Sequence, residues 1–277
     1  MDYKIIVDSC CDMTAQLKKR LGVLSVPMFL RLGQKEYIDD DTLDLAKFMD
    51  EMAECTDKIT TAAPSPASFQ STIEGAENSF VITLSDKLST SYANAVLGKK
   101  SLDEQGSVNT HVFTSLSASA GETLVAVKLR ELLSAGMSIE NIIQTVNTFI
   151  ENMKTYFVLE NYDTLVKNGR MGKITGRIIS VLNIKLIMGS DGHGNIAMHG
   201  NSRGTNQMIN KIMTYIKNSG RNTGEENMVI SHCNNPGLAE RVSAAVKQQF
   251  DFKEIIIVPT GGISSVYAAD QGIIMAF

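Results

Sequence analysis

Short apolar runs alternate with segments of helical period through the first half of the chain, a pattern that predicts βα units on a mostly parallel sheet. Tyr3 to Val7 reads as a buried strand with Asp8-Ser9 at its carboxyl end. Thr14 to Leu21 reads as a helix closed by Gly22. Val23 to Leu32 is apolar and extended; Pro27 within it predicts an edge strand, which turns at Gly33-Gln34 into Glu36 to Ile38. A helix from about Leu43 to Cys55 comes next. The tract from Thr60 to Pro66 reads as a loop, with Ser65 as N-cap and Pro66 as first residue of a helix to Gly75.

Phe80 to Leu84 reads as a strand, followed by the hydroxyl-rich Ser85 to Ser91 and a helix from Tyr92. His111 to Phe113 repeats the design. After it come Thr114-Ser115 and the capping-box pattern Ser119-Ala120-Gly121-Glu122, which opens a helix to Leu133. In an open parallel sheet, ligands bind outside the carboxyl ends of the strands, so these hydroxyls are expected around one crevice. A helix from Ile139 to Lys154 closes this half.

The second half is mixed. Strands are expected at Tyr156 to Leu159, Met228 to Ser231, Ile255 to Val258 and Ile273 to Phe277, with a hairpin of Ile184 to Met188 and Ile196 to His199. Helices are expected over Tyr162 to Lys167, Ile174 to Leu182, Asn206 to Lys217, and from Pro236 to Phe250. The fold class is therefore α/β: an N-terminal domain, residues 1–154, with a mostly parallel sheet and flanking helices, and a C-terminal α+β domain, residues 155–277, with a mainly antiparallel sheet and helices.

Composition narrows the function. A chain of 277 residues with 43% hydrophobic and 20% charged positions builds full cores, which excludes disorder as its main state. With 26 Lys+Arg against 30 Asp+Glu there is no basic excess for a phosphate backbone, so nucleic acid is not an expected partner. No run approaches the roughly 20 apolar residues of a membrane span, and Ile5-Ile6-Val7 is too short for a signal peptide; a cytoplasmic location is expected. Cys10, Cys11, Cys55 and Cys233 show neither a disulfide framework nor zinc spacing and read as reduced thiols. The 14 Met, with no Trp, suit either a plain core or an adaptable apolar wall.

Familiar catalytic signatures are missing, and neither a metal nor a cofactor is expected. Gly172-Lys173 resembles the end of a P-loop, but Lys167 stands at its first glycine and Ile174 where a hydroxyl must bind magnesium. There is no dinucleotide-binding glycine pattern, G-x-S-x-G elbow or H-E-x-x-H pair. His193 and His199 read as turn residues and Asp39-Asp40-Asp41 as a solvated helix start. What remains is a set of strand-end hydroxyls, Arg170 beside Gly169, and ample apolar material. A guanidinium with hydroxyls suits the anionic head of an amphiphile. A plainer account stays open, in which Gly169 caps a helix, Arg170 forms a surface ion pair and the hydroxyls cap helices.

Several segments taken in order resemble the DegV family and, with it, the fatty-acid-binding subunits of bacterial fatty acid kinase. They are Ile5 to Ser9, Thr61 to Pro66 (similar to T-S-Q-P-S), Leu84 to Tyr92 (similar to S-S-x-L-S-G-T-Y), Leu165 to Met171 (similar to L-x-K-G-G-R-I), Leu182 to Lys185, and Arg203. The resemblance implies two α/β domains enclosing a long-chain fatty acid, with Thr61, Ser89 and Arg170 at its carboxylate and Ser9, Ser91 and Ser115 as further ligand-binding candidates. It also implies a carrier, not an enzyme, that presents the carboxylate to a separate fatty acid kinase catalytic subunit. The family's loop glycine is Thr90 here, its Ser-Gln pair is Ala62-Ala63, and its head-group histidine is Tyr267, which is expected to reach the ligand in its place. An alternative from another class is a small hydrolase or transferase that acts on an amphiphile with Ser89 as nucleophile.

Overall fold

The computed structural model describes residues 3–103, 109–171 and 184–277. The helix expected over Ile174 to Leu182, the Gly172-Lys173 pair and part of the Leu182 to Lys185 motif lie outside the described residues.

The first sheet is parallel. Apolar β1 (Tyr3–Asp8) is buried from Ile5 onward and is followed by α1 (Ala15–Leu21), whose N-cap Thr14 accepts from Leu17 N and whose end is closed by Gly22 at φ +60°. β2 (Val23–Val26) returns alongside β1. The extended run expected from Val23 to Leu32 is in fact broken at Pro27: β3 (Phe29–Leu32) leaves for a second sheet, and Met28 N donates to Ser9 Oγ instead of to a strand. There β3 pairs with β4 (Lys35–Ile38) and, after α2 (Leu45–Glu54), with β5 (Ile59–Ala62). The tract from Thr60, for which the pattern predicts a loop, is partly a strand, supported by the β3 ladder.

α3 (Pro66–Ile73) starts on the expected Ser65 cap and Pro66. Then β6 (Asn78–Thr83), α4 (Ser91–Asp103) and β7 (Asn109–Thr114) complete the first sheet in the order β2-β1-β6-β7. Strand succession reverses between β1 and β6, so the crevice at their carboxyl ends is the natural ligand position.

α5 (Ala120–Ser134) is buried on nearly every side because it lies between the first sheet and a third. α6 (Ile139–Asn152) packs on it through Ile142, Val146 and Ile150. The third sheet is mainly antiparallel. Its strands are β8 (Thr155–Val158), β9 (Ile184–Ser190), β10 (Ile196–Arg203), β11 (Asn227–His232), β12 (Glu254–Pro259) and β13 (Ile273–Ala276), in the order β10-β9-β8-β13-β11-β12, with only β11 and β12 parallel. α7 (Asp163–Lys167) follows β8, while α8 (Gly204–Asn218) and α9 (Pro236–Lys247) cover the sheet's far face with Met208, Ile212 and Val242. The α/β class, with one parallel and one mainly antiparallel sheet, is as the pattern predicts.

One element escaped the pattern. α10 (Gly262–Ala268) follows β12 and packs on β3 and α2. Its start is fixed by two distant carboxylates: Asp39 accepts from Gly262 N and Ile263 N at 2.8 and 2.9 Å, and Asp12 accepts from Gly261 N at 2.8 Å. Asp39 is therefore a buried helix anchor and not part of a solvated loop. The Ser119-Glu122 capping box does not form either. Ser119 has φ +56°, makes no side-chain cap and gives its hydroxyl to Asp12.

Candidate functional site

The carboxyl ends of β1, β6 and β7 open onto a cavity of about 390 Å³, walled on the other side by β8, β9, β13 and α10. Its volume falls in the range of small-molecule sites. Met28, Leu84, Leu88, Leu116, Phe157, Leu159, Leu165, Ile196, Ile263 and Ile274 supply the apolar wall. A polar group stands among them: Thr61 from β5, Ser89 and Thr90 from the β6–α4 loop, Arg170 just beyond α7, and Tyr267 from α10.

These side chains are held by identifiable bonds. Thr61 Oγ1 and the Tyr267 hydroxyl are 2.8 Å apart. Ser89 N donates to Ser85 O, and Ser89 Oγ accepts from Ser91 N at 3.2 Å. Gly169, at φ +72°, ends α7 as the plainer account holds, but Arg170 makes no ion pair among the described residues. Its Nε donates to Leu88 O at 3.2 Å and its Nη1 to Asn168 O at 2.6 Å, while Nη2 takes no protein acceptor among the described residues. A half-buried guanidinium tied to two carbonyls retains further donors, which is the chemistry that holds one carboxylate.

Of the seven residues singled out in the sequence, Thr61, Ser89, Arg170 and Tyr267 line the cavity. Ser9, Ser91 and Ser115 stand behind it. Ser9 accepts from Met28 N, Ser91 gives its hydroxyl to Asp8 at 2.6 Å, and Ser115 bonds the backbone of Ser117 on both sides. Sequence reasoning did not single out Ser117, Thr155, Ser119, Ser264 and Cys10, which also line the cavity. Ser117 and Thr155 bond each other at 2.7 Å beneath Gly121, where an added Cβ would stand 2.0 Å from Ser117 Oγ. The hydroxyl run Ser115 to Ser119 was the available signal, and its odd positions differ only in which way the turn points them.

Behind the Ser89 loop lies a buried acidic group. Asp8 and Asp12 are each pushed up to about 6, chiefly by burial, against the hydrogen bonds each accepts. Burial likewise holds the Cys10 and Cys11 thiols well above their ordinary range, so both stay protonated and unreactive. None of the histidines is among the lining residues.

A largely apolar cavity with a cationic, hydroxyl-rich group in its wall, set between a parallel and an antiparallel sheet, defines an α/β protein built to hold an amphiphile. The chain belongs to the DegV family: residues 2–275 match the family model described as uncharacterised protein, DegV family. A DegV domain-containing protein of Streptococcus gordonii is 33% identical over 280 residues, covering 100% of this chain and 99% of the relative. Among solved structures, a DegV family protein from Ruminococcus gnavus, refined with vaccenic acid, has a TM-score of 0.94 at 40% identity and covers 99% of both chains. The Streptococcus pneumoniae fatty acid kinase B3 protein, loaded with linoleic acid, has a TM-score of 0.91 at 30% identity over 100% of this chain and 99% of that one. Among the described residues no helix is long and apolar enough to cross a membrane.

Proposed function

We propose that this chain is a fatty-acid carrier that buries a long acyl chain in the cavity and presents its carboxylate to a separate fatty acid kinase. The observation that carries this reading is the convergence of Thr61, Ser89, Arg170 and Tyr267 on an otherwise apolar cavity. The linoleic acid in the pneumococcal kinase B3 protein and the vaccenic acid in the Ruminococcus gnavus protein support it. Arg170 takes the carboxylate through its free donors, Ser89 gives it a hydroxyl, and the Thr61–Tyr267 pair gives it one more. Burying about 15 methylenes contributes roughly 10 kcal/mol gross, so the tail dominates affinity and the polar group sets orientation.

The carrier is an α/β pair of domains, residues 1–154 and 155–277, closing on the ligand from both sides. Its place is the cytoplasm, a reading supported by free cysteines at Cys10, Cys11, Cys55 and Cys233. The experiment is mass spectrometry of organic extracts from the purified chain, followed by addition of ATP, magnesium and fatty acid with and without a fatty acid kinase. A stoichiometric fatty acid and acyl phosphate formed only with the kinase are expected. An empty cavity, or turnover by the chain alone, refutes the carrier.

A further inference from the structure

Glu122 occupies the first turn of α5, where a capping box would put its acid, yet it caps nothing. Its side chain is fully buried, and neither oxygen receives a hydrogen bond among the described residues. It faces Asp8 at the end of β1. An oxygen of each carboxyl and the Sγ of Cys10 all lie within 4.8 Å of one another.

Asp8 is placed very differently. Its Oδ1 accepts from Cys10 N at 3.1 Å, and its Oδ2 accepts from Leu84 N at 3.1 Å and Ser91 Oγ at 2.6 Å. Three donors aimed at one carboxyl suit an anion, whereas a carboxyl with no donors suits an acid. Two bare carboxylates could not stand this close in a buried site without a cation. The other titratable groups around Glu122 are Asp12 and the thiols of Cys10 and Cys11, and neither Asp8 nor Glu122 joins an ion pair among the described residues. A single proton on Glu122, donated to Asp8, satisfies both groups at once.

The pair sits directly behind the ligand cavity. Leu84 and Ser91 bracket the loop that carries Ser89, and both are bonded to the same oxygen of Asp8. Anything that alters the charge on Asp8 therefore acts on both ends of that loop.

We propose that Glu122 is held as a neutral acid donating to Asp8, and that this one-proton carboxyl pair positions the Ser85 to Ser91 loop so that Ser89 meets the ligand carboxylate. Both are positioning residues, and their role in binding rests on the fatty-acid reading above. Burial and the neighbouring charges of Asp8 and Asp12 hold Glu122 well above the ordinary carboxyl range, in keeping with a retained proton.

The test uses the full chain, with infrared spectroscopy and displacement of a fluorescent fatty acid by oleate between pH 6 and 9. A protonated-carboxyl band at pH 7 is expected in the wild type and its loss in Glu122→Gln. Glu122→Ala should bind oleate about tenfold more weakly, and Gln, whose amide also donates to Asp8, should restore most of that loss. Any loss of affinity toward the alkaline end should be confined to the wild type, because the Gln variant has no proton to lose at position 122. Absence of the band, Ala binding as tightly as wild type, or a stoichiometric metal in the purified protein would each overturn the pair. If the Ala variant fails to fold, the band and the Gln pH profile still decide. A wild type that binds no oleate refutes the fatty-acid reading and with it the loop's role in binding; the infrared band then judges the shared proton by itself.

Discussion

Thr61 on β5 and Tyr267 on α10 are separated by 206 positions in sequence and bond each other at 2.8 Å in the cavity wall. One hydroxyl donates to the other, so the two residues together offer a ligand one proton and act as a unit. The contact also ties the three-stranded sheet to the short helix that Asp12 and Asp39 anchor from below.

Removing either hydroxyl leaves the other without the partner that aims its proton, so both single variants should cost the same interaction. Tyr267→Phe and Thr61→Ala are each expected to weaken fatty-acid binding by about 1 kcal/mol, and the double variant by little more than one of them. Tyr267→His introduces an imidazole, whose ordinary pKa of about 6.5 lies near neutrality, and should make binding pH-dependent. Displacement assays on the four variants check this. Full affinity in Tyr267→Phe would remove Tyr267 from the ligand site.

The carrier proposal gives Arg170 a double role. Its Nε and Nη1 hold Leu88 O and Asn168 O, and the proposal assigns its remaining donors to the carboxylate. Arg170→Ala is expected to lower fatty-acid affinity by on the order of 2 kcal/mol. Arg170→Lys should keep the charge but recover only part of the affinity, because a point charge cannot hold two carbonyls and a carboxylate together. Calorimetry with oleate on the three proteins separates these outcomes. A lysine variant equal to wild type would mean that charge alone matters.

The strand ends and helix caps were legible because they depend on neighbours in sequence. Thr14, Gly22, Ser65 and Pro66 each act within one turn. The hydroxyls at those strand ends were not separable by the same means. Ser89 and Ser91 sit two residues apart in similar chemistry, yet one lines the cavity and the other bonds Asp8. α10 was illegible for a related reason. Its seven residues begin at glycine, and what fixes its start comes from Asp12 and Asp39, 249 and 223 positions away along the chain. β5 is two threonines and little else by pattern; only its ladder to β3 makes it a strand. The resemblance to a family supplied Thr61 and Tyr267, which no periodicity joins.

Stability should rise, not fall, on mild acidification. Asp8 and Asp12 titrate near 6 in the folded chain and near 3.9 when unfolded, so between about pH 4 and 6 the folded state holds the extra protons. Their contribution is thus most favourable below about pH 4 and is lost as pH rises through 6, by about 3 kcal/mol for either group alone. Asp40 and Asp191 act in the opposite sense: hydrogen bonds hold both below the usual range, and their stabilisation is lost only as pH falls below about 4. Melting temperature should therefore peak near pH 4 and decline toward pH 7.5, and Asp12→Asn should flatten that decline. A melting temperature that climbs steadily from pH 5 to 7.5 would refute the assignment.

Two glycines give opposite expectations from the same change. At Gly262, the first residue of α10, an added Cβ would stand 2.5 Å from Asp39 Oδ1, 2.6 Å from Leu43 and 2.8 Å from Leu30. The carboxylate cannot yield without releasing Gly262 N and Ile263 N, so Gly262→Ala must push the helix outward. A loss of about 1–3 kcal/mol in stability is expected, as for other overpacked sites. Fatty-acid affinity should fall with it, because the same helix carries Tyr267 and Ser264 into the cavity wall. Gly237 lies in the first turn of α9 with nothing within 4 Å of its added Cβ. There alanine only removes backbone freedom from the unfolded chain, and Gly237→Ala should stabilise by about 0.4–1 kcal/mol without touching the ligand. Denaturant unfolding with and without oleate compares the two. Equal affinity in Gly262→Ala would show that α10 can shift without disturbing the ligand, and would separate Tyr267's place in the cavity wall from its role in binding.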